Sequence, residues 1–110
     1  MNEEPPEIQI IITPRAQAAL DELQTLIAAR FPQATFTVEK GYEPAGIYLE
    51  ATVDIDDIDD VVAVFIDRLV DIQVKDGIPV YVNVHRPIER VRAMFREQQA
   101  RRFPVPLPTG

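Results

Sequence analysis

Four short stretches alternate apolar and polar side chains, and two longer ones between them carry apolar residues at helical spacing. With a turn-rich loop joining the middle pair of strands, these patterns predict an α+β fold. In chain order they read β-α-β-β-α-β, followed by a C-terminal helix. Two crossovers joined by a hairpin make a ferredoxin-like βαββαβ plait: a four-stranded antiparallel sheet with both main helices on one face.

The first strand is Glu7 to Ile12, where β-branched residues place Ile8, Ile10 and Ile12 on one side. Without it, the remainder would be a three-stranded α+β unit. Thr13-Pro14 then opens a helix, since Thr caps free amides and Pro fits the first turn. Ala16, Leu20, Leu23 and Ile27 form its apolar stripe, and Pro32 ends it. Ala34, Phe36 and Val38 alternate with Thr35, Thr37 and Glu39; Ile47, Leu49, Ala51 and Val53 alternate with Tyr48, Glu50 and Thr52. Period-two alternation buries one face of each strand, and the loop Gly41 to Gly46 makes the pair a hairpin.

A second helix starts inside the acidic run Asp54 to Asp60 and reaches about Lys75, with Ile58, Val62, Phe65, Leu69 and Ile72 as its seam. Gly77 stands where a left-handed residue would end it. Val80, Val82 and Val84 alternate with Tyr81, Asn83 and His85 in the last strand, and Pro87 opens the third helix. The domain layout is a flexible start over residues 1–6, the βαββαβ domain over 7–86, a basic amphipathic helix over 87–103 and a Pro-rich tail over 104–110.

Composition narrows the function. The chain has 110 residues, enough for one domain, with 46% hydrophobic and 26% charged side chains, the balance of a soluble globular protein. Cysteine is absent, which excludes disulfides, thiolate metal sites and cysteine nucleophiles. The longest apolar run, Val61 to Ile66, is far short of the roughly 20 residues a membrane span needs, and the acidic start does not read as a signal peptide. A cytoplasmic, bacterial-type protein with no membrane association is the expectation.

The net charge of −7 is unevenly spread: residues 85–110 carry +4 and residues 1–84 carry −11. An acidic body repels nucleic acid, so the basic helix is matched instead to acidic protein surface, in cis or between copies. The plait leaves one sheet face uncovered, with Ile11, Tyr48 and Tyr81 as its apolar part. The second helix has more apolar arc than one sheet contact uses, including Val61, Val64, Ile66, Val70 and Val74. The third helix has Ile88, Val91, Met94 and Phe95 to bury and is too short to stand alone in water. Its arginines would sit on the rim of such a contact, where exposed pairs contribute about 0.2–1 kcal/mol each and set orientation more than affinity.

Candidate chemistry is sparse. Asp54, Asp56 and Asp57 could ligate a divalent cation, but the run lacks the glycine and terminal glutamate of a calcium loop, and the structural reading is helix capping. His85 is the one histidine and, beside Tyr81 and Asn83, a candidate general base. Serine is absent, so no serine triad can form. No glycine pattern suits a phosphate cradle, and no cofactor is implied.

These features point to a non-enzymatic protein-interaction or adaptor module acting as a homodimer, with Ile11, Tyr48, Tyr81, Ile88, Val91 and Phe95 as its contact surface. Two other classes stay open: a small cofactor-free enzyme using His85 on the open face, and a small-molecule regulatory domain.

Overall fold

The computed structural model describes residues 10–102. Residues 1–6, expected as a flexible start, residues 7–9 of the expected first strand, residue 103 of the expected C-terminal helix and the Pro-rich tail lie outside them. The elements are α1 (Pro14–Arg30), β1 (Thr35–Tyr42), β2 (Ala45–Thr52), α2 (Ile58–Val74), β3 (Val80–His85) and α3 (Ile88–Arg102).

Both main helices begin as their caps dictate. Thr13 Oγ1 accepts the Ala16 N–H at 3.1 Å, with Pro14 in the first turn. Asp57 Oδ1 accepts the Asp59 N–H at 3.0 Å, and Asp59 and Asp60 add negative charge at the positive end of the helix dipole. Past α2 the chain turns through Gly77 at φ +66°, a conformation that costs glycine nothing, and the Ile78 N–H returns to the Ile72 carbonyl at 3.1 Å. The hairpin is tighter than its glycines suggest. Gly41 and Gly46 belong to the strands and face each other, leaving Glu43 and Pro44, joined by a cis peptide bond, as the turn.

The sheet has three strands in the order β1-β2-β3, antiparallel between β1 and β2 and parallel between β2 and β3. The four-stranded antiparallel plait is therefore incorrect, while the α+β class holds. In a plait the first strand would lie between the present β2 and β3. Here the Ile47 N–H donates to the Pro79 carbonyl and the Val53 N–H to the His85 carbonyl, both at 2.9 Å, and that slot is closed. The described part of the expected first strand, Ile10 to Ile12, is irregular, and Ile11 is 68% exposed.

The core lies between the helices and one face of β2 and β3. Leu20, Leu23 and Ile27 of α1 and Val61, Phe65, Leu69 and Ile72 of α2 close on Ile47, Leu49, Ala51, Val53 and Val80. Burying each large side chain is worth about 1.5–3 kcal/mol. On α2 the deepest residue of the first turn is Val61, not the expected Val62, which is half-buried. The strand β1 lies outside the helix cover, and Val38 on its core-facing side is left exposed. Between the helices, Arg68 of α2 grips both carboxylate oxygens of Glu22 on α1, Nε to Oε2 and Nη2 to Oε1 at 3.1 Å. Among the described residues, no helix is long and apolar enough to cross a membrane.

Candidate functional site

The sheet face away from the helices carries two clusters. At the hairpin end the rings of Tyr48 and Tyr81 stack with centroids 5.1 Å apart and planes 30° from parallel. Each ring also covers a glycine. A Cβ on Gly41 would stand 2.5 Å from the Tyr48 ring, and one on Gly46 would stand 2.7 Å from the Tyr81 ring and 2.5 Å from the Pro79 carbonyl oxygen. The Tyr48 hydroxyl donates to the Pro44 carbonyl at 2.6 Å. Partial withdrawal from water, and then the negative charges that Tyr81, Glu43 and Glu50 can bring, push the Tyr48 phenol above its ordinary range. Much of what the sequence offered as sticky aromatic surface is used to roof the strands' own backbone.

At the opposite end of the same face, His85 Nε2 stands 2.5 Å from Glu50 Oε2, and Asn83 Nδ2 donates to Glu50 Oε1 at 3.1 Å. The parallel register sets Glu50 directly across from Asn83 and diagonal to His85. Sequence reasoning grouped His85 with Tyr81 and Asn83; the structure adds Glu50 as the shared acceptor and leaves Tyr81 with Tyr48. Only the β2–β3 register could have exposed that partnership. The arrangement sets a carboxylate against an imidazole, and the imidazole side chain is 54% exposed.

The acidic run is divided between α3 and the start of α2. Arg90 Nη1 meets Asp54 Oδ1 at 2.5 Å and Arg90 Nη2 meets Asp56, while Asp57 caps α2. Arg86 adds bonds from Nε to the Ile55 carbonyl at 3.1 Å and from Nη2 to the Asp56 carbonyl at 2.6 Å. Among the described residues, no group of three or more His, Cys, Asp or Glu side chains gathers as a metal would require.

This clamp orients α3. At about 100° per residue, Ile88 lies about 160° and Phe95 about 140° around the helix from Arg90. Val91 lies about 100° from it. With Arg90 turned to the body, the stripe Ile88, Val91 and Phe95 is on the side away from the clamp. All three are exposed, Ile88 at 56% and Phe95 at 59%, as is every residue of α3 from 91 to 100. The α2 helix carries a matching leftover. Ile66, Val70 and Val74 step by four along its outer flank and are exposed, Val74 at 76%. Ile11 stands apart from both stripes. It lines an open cleft of about 560 Å³ together with Ile10, Ile47, Ile78, Pro79 and Arg15, where α1 begins and β3 is entered. The six expected contact residues thus occupy three places: the tyrosine stack, the outward stripe of α3, and this cleft.

No protein-family model, curated protein or solved structure matches the chain.

Proposed function

We propose that this chain is a non-enzymatic protein-interaction module that works as a homodimer. One observation carries the reading: the Arg86 and Arg90 clamp holds α3 with its apolar stripe turned away from the core of the described residues. A helix of this length gains little by standing free in water, and a second surface over Ile88, Val91 and Phe95 supplies the missing burial. The exposed flank of α2 supports the same conclusion, because a domain this small gains stability from each additional patch it buries.

A second reading draws on the Glu50–His85 contact, which suits a general base held by a carboxylate. It ranks below the first because the pair lies on an open strand face, with the His85 side chain 54% exposed.

The test is the mass in solution by light scattering, at several salt concentrations. The expected result is a species of twice the 12.4 kDa chain mass that dissociates on dilution. A strict monomer at every concentration and salt would overturn the module reading.

A further inference from the structure

We propose that the occupant of the exposed α2 flank is α3 of a second copy, packed antiparallel, so that a dimer has two equal α2–α3 contacts related by a two-fold axis. This rests on the homodimer reading and goes further by naming the surfaces and their direction.

Three observations carry it. The two stripes match in length and kind: Ile66, Val70 and Val74 on α2, and Ile88, Val91 and Phe95 on α3, each three residues over two turns. Neither can reach the other within one chain by simple closure, because Arg90 is held by Asp54 and Asp56 on the far side of α3 from its stripe. The charges flanking the stripes are opposite. Around α3, Arg92 and Arg96 border the stripe on the side of increasing rotation; around α2, Asp60 and Asp67 do so, and all four are exposed.

Handedness then decides the direction. When two right-handed helices meet face to face and run antiparallel, the flanks of increasing rotation come together; when they run parallel, each meets the other's opposite flank. Only the antiparallel arrangement sets Arg92 and Arg96 beside Asp67. The parallel one would set them beside Val62 and Gln73, and Gln73 already donates to the Val80 carbonyl at 2.8 Å. The antiparallel arrangement also opposes the helix dipoles. With the stripes aligned, Val74 meets Ile88, Val70 meets Val91 and Ile66 meets Phe95. A two-fold contact of one surface with a different surface of its copy closes when both contacts form at once, so the assembly stops at two.

The chain's lack of cysteine makes the test direct. Val70→Cys and Val91→Cys are made as separate full-length proteins, mixed, exchanged and oxidised. The expected result is a disulfide-linked dimer holding one chain of each kind in the mixture, and no linked species from either protein alone. Linked dimer from Val70→Cys alone would mean that α2 meets α2, and from Val91→Cys alone that α3 meets α3; either overturns the inference. So would a wild-type dimer whose mixed variants never link. These outcomes leave the homodimer reading standing, whereas a monomeric wild type removes both. As a second readout, Asp67→Arg weakens the dimer at least tenfold at low salt, and Arg92→Asp with Arg96→Asp in the same chain recovers most of the loss; an unchanged dissociation constant for Asp67→Arg overturns the proposed charge pairing.

Discussion

The ring of Tyr81 lies over the backbone of Gly46, so close that a single methyl group could not be inserted between them. Tyr48 does the same over Gly41, directly across the hairpin from Gly46, and the two rings stack on each other. Two bare backbone positions and two aromatic rings thus form one unit that ties β1, β2 and β3 together at the hairpin end. Aromatic cover over strand glycine offsets the missing side chain and pins the register. The same unit gives the uncovered face its apolar character, which makes that character structural.

Gly46→Ala tests this unit. The new Cβ would meet the Pro79 carbonyl oxygen as well as the Tyr81 ring, and a backbone oxygen that bonds the Ile47 N–H cannot move without opening the β2–β3 ladder. The expected cost is that of overpacking, about 1–3 kcal/mol. Gly41→Ala displaces only the Tyr48 ring and costs less. Urea midpoints of the two variants, compared with wild type, check the order; equal midpoints would mean that the rings and not the backbone contact set the cost.

The Tyr48 phenol gives a second test, in alkali. Its folded-state value is raised above the ordinary 10.0, because water is partly withdrawn and the charges nearby are negative. The native state therefore holds the neutral form more tightly than the unfolded chain does. That contribution is fully present below pH 10 and is lost as pH rises through the native value. Ultraviolet titration is expected to show a late-ionising phenol that is absent in Tyr48→Phe. A late phase that survives in Tyr48→Phe would contradict the assignment.

These contacts mark where the sequence was legible. Helices α1 and α2 and the hairpin could be read because spacing, capping residues and alternation are local signals, and Thr13, Asp57 and Gly77 do what their chemistry suggests. Strand neighbours are not local. Nothing in Val80 to His85 says whether it lies directly against β2 or leaves room for another strand, and the β-branched Glu7 to Ile12 run made the second choice attractive. The error carried forward: with no parallel β2–β3 register, Glu50 could not be seen as the partner of His85. The arginines of α3 were legible as a charged rim, but which of them turns inward depends on where Asp54 and Asp56 stand in the fold. Gly41 and Gly46 carry the sequence signal of turn residues, although their use is to lie flat under two rings.

The inward turn of Arg90 leads to a third prediction. Arg90 is the better shielded member of its pairs with Asp54 and Asp56, and it joins α3 to the loop before α2. Arg90→Gln removes the charge and the two Nη donors that reach Asp54 and Asp56. The body should unfold at the same urea concentration, since its core is untouched. Amide hydrogen exchange over residues 88–95 should quicken several-fold as the first turns of α3 lose their tether. An unchanged exchange rate there would show that Arg86 alone, through the Ile55 and Asp56 carbonyls, suffices to hold the helix.

The Glu22–Arg68 pair gives the last prediction, in acid. Its hydrogen bonds from Arg68 are the main reason the Glu22 carboxyl is held below its ordinary value of 4.5, with the Arg68 charge adding to the effect and partial burial opposing it. A carboxyl depressed in the native state binds its proton more tightly when unfolded. The pair therefore stabilises the fold at pH above 4.5, and the contribution disappears as pH falls through the lower native value. Both side chains are 41% exposed, so solvent screening keeps the effect well below that of a core substitution. Glu22→Gln should lower the unfolding midpoint slightly at neutral pH, and the gap from wild type should close as the solution is acidified below 4.5. A gap that stays constant into strong acid would mean that the pair contributes packing between α1 and α2 and not charge.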